Sequence, residues 1–283
     1  MVHIAVDGGG TNLRAARFNN GFEEGRITVP TDAESYSKTL AALHGSIDEL
    51  RGGQKLDGIG VSIAGSTDGE RIIAAGNLGA FAGEPFAYDL RTMHGCPVWL
   101  FNDGQAMGAS EYSVQGTPLV FAIWGSGVNF AFVLGDDIFS PAGGGPSIIG
   151  EGGHQRIDDD AWGGRKCGCG QLGCLEAYTG GTSIERHYGY PAERLNETEW
   201  DAVLSRMAHG VHNVITLTGG RLPIFFGGGI ACRQAARLPV LTDKLKETQL
   251  IVPTLPTISR ATHGEDAGLH GASRIVEHQL AAA

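Results

Sequence analysis

The chain of 283 residues is long enough for two modest domains, each with a core of its own. A formal net charge of −10, with no run of Lys and Arg, argues against nucleic acid or an anionic membrane surface as the partner and points to a small-molecule ligand. No stretch approaches the roughly 18 apolar residues of a membrane span, and the opening MVHIAVDGGG has neither a basic region nor a cleavable apolar segment, so a cytoplasmic protein is expected.

Taken in chain order, VHIAVD is a strand by its β-branched content, GGGTN is a turn and LRAARF is the returning strand of a hairpin. Gly9 and Gly10 leave backbone N–H groups unobstructed, and Thr11 and Asn12 add polar side chains, as a close approach to phosphate oxygens requires. Asp7 at the strand end is placed to hold Mg²⁺, directly or through water. A plain tight turn accounts for the same residues, and neither the P-loop nor the dinucleotide fingerprint fits. Apolar spacing at Leu40, Leu43, Ile47 and Leu50 predicts a helix over 32–50. LDGIGVSIAG is then a buried strand, and VWLFND a strand followed by the helix-compatible GQAMGASEYS. The first domain is therefore expected to be α/β. Asn102 and Asp103 fall at a strand's carboxyl end, where open α/β sheets bind ligands. A carboxylate there accepts a proton from an attacking hydroxyl, or merely caps the following helix.

After QGTP the pattern begins again. LVFAIWGSG and VNFAFVLGDDIFS predict a second hairpin around Gly125, Ser126 and Gly127, and FGGGI places Gly228 and Gly229 between a strand and a helix. Helices are predicted over 200–217 and 266–280. Two halves that begin alike imply two related domains with a ligand cleft between them.

Residues 141–182 hold the glycine and cysteine insert. Cys167, Cys169 and Cys174 have C-x-C-x4-C spacing, with His154 thirteen residues upstream. Three thiolates and one imidazole make a closed tetrahedral Zn²⁺ shell with no position for activating water, so the zinc is expected to be structural. A disulfide would leave one thiol odd, and a redox pair normally shows C-x-x-C. Glu151 and Glu176 flank the ligands. With His154 they offer acceptors to sugar hydroxyls, or they are solvated surface groups. Cys96 and Cys232 stand alone, as packing residues do.

Together DGGGTNLRAA, NLGAF, FNDGQA, EGGH and CGCGQLGCLE resemble the ROK sugar kinases of the actin-like superfamily, in order from residue 4 to about 272. The resemblance implies two actin-like (ribonuclease H-like) α/β domains, 1–116 and 117–265, the first completed by a helix over 266–283 and the second carrying the zinc loop. It implies transfer of the γ-phosphoryl group of ATP, with Mg²⁺, to a hexose or N-acylhexosamine, commonly at the 6-hydroxyl. By motif, Asp103 is the general base, and Asn77, Asn102, Glu151, His154 and Glu176 contact the sugar, with Gly65 approaching by its backbone. Asp7, Gly9, Gly10, Thr11 and Asn12 face phosphates and metal, Gly125, Ser126 and Gly127 form the second phosphate loop, and Gly228 and Gly229 face adenosine. By analogy the protein is a homodimer. Three features depart from the family pattern. Asn129 and Phe130 stand where more glycine is usual, which crowds the phosphates or alters donor choice, polyphosphate included. Ala64 replaces a usual proline, and the connections after residue 185 are short. A sugar-binding protein that has lost catalysis is the competing expectation. A sugar-responsive repressor would need a helix-turn-helix ahead of the first hairpin.

Overall fold

A computed structural model describes residues 1–75, 78–139, 148–157, 164–248, 252 and 254–283, and in it the chain divides into two α/β units. The first comprises Met1–Gly116, Val133–Ile148 and Asp266–Ala283, the second Thr117–Phe132 and Ile149–Glu265. Val133–Ile148 thus clusters with the first unit although it follows the start of the second in sequence.

In the first unit β1 (Val2–Gly8) and β2 (Asn12–Asn19) form the hairpin expected around the glycine turn, and β3 (Phe22–Pro30) continues antiparallel. β4 (Gly58–Ile63) runs parallel to β1, with β7 (Val98–Asn102) parallel to it, giving the order β3-β2-β1-β4-β7. Every residue of β4 is buried, as its near-continuous apolar run requires of a central parallel strand. The edge strand β3 is mostly exposed and carries Glu23, Glu24 and Arg26, charges that discourage pairing with another chain. β5 (Ser66–Thr67) and β6 (Ile72–Ala74) form a small separate hairpin.

The helices of this unit are α1 (Tyr36–Arg51), α2 (Phe86–His94), α3 (Asp103–Gln115) and α9 (Ala267–Ala282). α1 starts later than its apolar spacing predicts, because Asp32 accepts from the backbone N–H of Glu34 in a local turn and the cap falls to Ser35, whose hydroxyl accepts from Lys38 N–H. α9 packs on α3, β1 and β4. Its small residues make that approach possible: a Cβ on Gly271 would run into the carbonyl of Ala106, and one on Gly268 into the Asp7 carboxylate.

The second unit repeats the pattern. β8 (Leu119–Trp124), β9 (Val128–Val133), β10 (Ile148–Gly150), β11 (Ile224–Gly227) and β12 (Ile258–Arg260) lie in the order β10-β9-β8-β11-β12, with β8, β11 and β12 parallel. These positions match those of β3, β2, β1, β4 and β7, so the likeness of the two hairpins in sequence reflects a repeated sheet. α4 (Glu176–Thr179), α5 (Gly181–Tyr188), α6 (Glu197–Thr218), α7 (Gly229–Arg233) and α8 (Arg237–Glu247) complete the unit. α6 begins three residues before the predicted start, at a capping box in which the Asn196 side chain accepts from Glu199 N–H and the Glu199 carboxylate accepts from Asn196 N–H. Trp124, Phe130, Trp200, Met207 and Phe226 form the fully buried centre of its core. No helix among the described residues is long and apolar enough to cross a membrane.

Two buried histidines of the first unit make its stability pH-dependent. Burial pushes His3, bonded to Ser273 Oγ at 2.7 Å, and His94 each down from 6.5 to about 4. The unfolded chain therefore takes up protons between pH 6.5 and 4 that the folded chain refuses, so stability falls as pH is lowered through that window. Thermal melts from pH 7 to 4 should show this fall, and replacing both histidines with Gln should flatten it.

Candidate functional site

In the first unit the β1–β2 turn closes through Gly9 N–H donating to the Asn12 carbonyl at 3.0 Å. Thr31 ties it from the side, its N–H to the Thr11 carbonyl and its hydroxyl to the Gly9 carbonyl. The carbonyls of Gly9, Thr11 and Asn12 are thus occupied within the protein, as is the N–H of Gly9, which the sequence leaves unobstructed, while Thr11 and Asn12 are exposed and Gly9 and Gly10 half-buried. Asp7 is less open than a bare metal ligand would be. Arg14 Nη2 is 2.5 Å from its Oδ2, and Ser62 Oγ donates to its Oδ1 at 2.9 Å. A carboxylate engaged on both oxygens fits a cation held through water better than direct ligation. Arg14, which the motif reading passes over, continues to Asp266 at 2.8 Å. Asp266 also binds Arg26, whose hydrogen bonds hold its carboxyl below the usual range.

At the carboxyl end of β7 the two alternatives for Asn102 and Asp103 separate. Asn102 is the N-cap of α3, with Oδ1 accepting from Gly104 N–H at 2.8 Å and Nδ2 donating to the Gly65 carbonyl at 2.8 Å. It is 7% exposed, and its acceptor and one amide hydrogen are spent on bracing this strand end. Gly65 holds φ +151, and a Cβ there would meet Ala74 and Ala75, so glycine is required. Asp103 is the first helical residue, half-buried, with Oδ1 also accepting from Gly104 N–H at 2.8 Å. The cap role belongs to Asn102, and Asp103 is a carboxylate fixed at a rigid strand-to-helix junction. Asn77 lies outside the described residues.

In the second unit the two glycine segments come together. A Cβ on Gly125 would touch Gly229 N at 3.4 Å, and one on Gly228, which has φ +90, would meet the Trp124 carbonyl at 2.9 Å. The carbonyls of Gly125 and Ser126 accept from the N–H groups of Gly181 and Thr182, and Trp124 Nε1 donates to the Thr179 carbonyl. Residues 179–182 therefore clasp the loop at its carbonyls, an attachment that sequence spacing does not signal. Asn129 and Phe130 do not stand in it. Phe130 is fully buried in the core, and Asn129 Oδ1 accepts from Gly152 N–H.

His154, Cys167, Cys169 and Cys174 converge, with one ligand atom from each all within 4.8 Å of one another. Cys169 Sγ and Cys174 Sγ are 3.8 Å apart, and Cys167 Sγ lies 3.5 Å from His154 Nδ1. A tetrahedral zinc with Zn–S near 2.3 Å has S–S edges of about 3.8 Å and S–N edges of about 3.6 Å, so these side chains fit the ion. Burial pushes the Cys167 thiol up to about 12 and raises Cys174, whereas a backbone N–H of Gln171 lowers Cys169. Three thiolates at this spacing need a cation to hold them ionised. Gly170 at φ +91 and Gly173 at φ +77 make the turns that return the chain from Cys167 to Cys174. With Nδ1 toward the ion, Nε2 of His154 is the ring atom left to face a ligand.

Glu176, at the start of α4, is half-buried rather than a solvated surface group. Its Oε2 accepts from Val128 N–H at 3.0 Å, and its Oε1 lies 3.8 Å from Cys167 Sγ. Glu151 is exposed and precedes the short 3-10 turn Gly152–His154.

Residues 3–279 match the model of the ROK family. The chain is 31% identical to an N-acetyl-D-glucosamine kinase of Citrobacter koseri, over 96% of this chain and 98% of that protein. Its fold is similar to that of a ROK hexokinase from Thermus thermophilus, with TM-score 0.76, 23% identity and full coverage of both chains. It is similar also to a ROK family glucokinase from Streptomyces griseus solved with glucose and AMPPNP, with TM-score 0.76, 20% identity, and 98% and 100% coverage.

Protein purified without chelator should carry about one zinc per chain. Cys169 is the exposed ligand, so Cys169→Ser tests ligation with little disturbance of packing. It should lose zinc to a chelator concentration that leaves the unaltered protein loaded, as followed by a colorimetric zinc indicator.

Proposed function

Because the chain belongs to the ROK family, we propose that it is an ATP-dependent sugar kinase whose acceptor is an N-acylated hexosamine of the N-acetylglucosamine type, phosphorylated at the 6-hydroxyl. The observation that carries this reading is the relationship along nearly the whole chain to N-acetyl-D-glucosamine kinases. The local geometry within each unit supports it: in the first, a carboxylate fixed at the end of β7 and a glycine turn at the end of β1; in the second, a zinc-type quartet beside two further acids.

Asp103 is the general base. As the bond between the sugar oxygen and the γ-phosphorus forms and the bond to the β-phosphate oxygen breaks, its carboxylate takes the hydroxyl proton and ADP leaves. Phosphoryl transfer passes through a loose transition state, so Asp103 acts chiefly by holding the hydroxyl in line. The Gly104 N–H bond to Oδ1 limits its freedom to turn. Asn102, with its second amide hydrogen, Asn77, Glu151, His154 through Nε2, Glu176 and the Gly65 backbone bind the remaining sugar hydroxyls.

Gly10, Thr11 and Asn12, together with Ser126 and Gly127, receive the phosphates through backbone N–H and hydroxyl groups, while Gly9 and Gly125 give their own N–H groups to closing the two turns, and Gly228 and Gly229 receive the adenosine. Asp7 would hold, through water, Mg²⁺ brought with the nucleotide, an ion that would neutralise phosphate charge. His154, Cys167, Cys169 and Cys174 would complete the shell of a zinc ion, which would leave it no part in the chemistry.

The test is ADP production from ATP across N-acetylglucosamine, N-acetylmannosamine and glucose, with sugar binding measured separately. N-acetylglucosamine should give the highest kcat/KM. Asp103→Asn should lower kcat by about two to four orders of magnitude while leaving sugar affinity within about threefold. Tight binding of a sugar with no turnover from ATP or polyphosphate would identify a binding protein instead.

A further inference from the structure

The turn that carries Glu151 and His154 is pressed onto the start of β9. A Cβ on Gly152 would meet the Phe130 ring at 2.7 Å, and one on Gly153 would run into the Val128 carbonyl. Within the turn, His154 N–H donates to the Glu151 carbonyl and Gln155 N–H to the Gly152 carbonyl. A further tie is Asn129. Its Oδ1 accepts from Gly152 N–H at 3.1 Å and from Phe130 N–H at 2.8 Å. β10 ends at Gly150, so the Asn129 side chain supplies the acceptor for Gly152 just past the strand. The neighbouring residue, Val128, gives its N–H to Glu176. Two consecutive residues of β9 thus hold two segments, one leading to Glu151 and His154, the other to Glu176, and both begin where the glycine loop 125–127 ends.

We propose that Asn129 is a positioning residue for the acceptor sugar, its side-chain carbonyl fixing the 151–154 turn so that Glu151 and the His154 ring stay in register with the zinc quartet. The proposal rests on the sugar-kinase reading for its effect on substrate and on the geometry of the turn for its effect on the metal. Asn129 acts through Gly152 and touches no reacting atom. Without the acceptor, Gly152 N–H has to find water at a turn with no room to shift toward β9, and Glu151 and His154 lose a fixed origin. The loss of one such hydrogen bond corresponds to about a three- to tenfold effect. Its direction is specific: the sugar's KM and the hold on zinc change, while the KM for ATP does not.

The experiment compares Asn129→Ala, which removes the acceptor, with Asn129→Asp, which keeps an oxygen in its place. Sugar KM, ATP KM and the rate of zinc release to a colorimetric chelator are measured on zinc-loaded protein. The Ala variant is expected to raise sugar KM and to speed zinc release, each by about three- to tenfold, with ATP KM unchanged. The Asp variant is expected to restore both. Unchanged zinc release in the Ala variant overturns the proposal, as does a defect that the Asp variant shares in full. If no sugar is phosphorylated by the unaltered protein, the kinase reading fails by itself, and zinc release in the two variants still decides the role of Asn129.

Discussion

Three sulfurs and one imidazole nitrogen gathered around a single point are the constraint on which the ligand-facing part of the second unit depends. The segment 164–175 has little apolar content, and its buried residues are Cys167, Gly173, Cys174 and Leu175. Such a segment cannot order itself by burial alone, whereas a four-coordinate zinc supplies several kcal/mol or more. Its order passes outward along short bonded paths. Cys174 is followed by α4, where Glu176 accepts from Val128 N–H, and residues 179–182 clasp the carbonyls of the glycine loop. His154 belongs to the quartet and to the turn that Asn129 holds. The metal position, the loop and the acids are consequently parts of one bonded framework.

The first unit is braced by hydrogen bonds and ion pairs. There the glycine turn is tied by Thr31, the strand end is braced by Asn102 reaching Gly65, and Asp7 is flanked by Arg14 and Ser62. The helix α9 sets its Gly268 against the Asp7 carboxylate, so residues at the far end of the chain complete the surroundings of its beginning. Close backbone approach is the recurring device. Where a side chain would strike a carbonyl or a ring, as at Gly271, Gly152 and Gly153, glycine is present and the gap is filled.

Much of this was legible from residue types and spacing. The two hairpins, the strand-to-helix step at Asn102–Asp103 and the zinc quartet all follow from local patterns, namely β-branched runs broken by glycine and thiols at ligand spacing. What escaped was set by partners distant in sequence. Arg14 reads as one charge in a strand until α9 brings Asp266 to it. Asn129 reads as an intrusion into a phosphate loop until β10 ends beside it and leaves Gly152 N–H to be satisfied. Asp103 had two readings, cap or base, and the three-dimensional arrangement assigns the cap to its neighbour. Helix starts are set by which local acceptor takes which N–H: Asp32 takes that of Glu34 in a turn, Ser35 that of Lys38 at the start of α1, and Asn196 that of Glu199 at the start of α6.

In the proposed kinase, the metal quartet acts on the sugar by positioning Glu151, His154 and Glu176. Calorimetric titration of N-acetylglucosamine into zinc-loaded protein, and into protein stripped by chelator but still folded by circular dichroism, tests it most directly. Sugar affinity is expected to fall at least about tenfold on stripping and to return when zinc is restored. Equal sugar affinity in the loaded and stripped protein would contradict it.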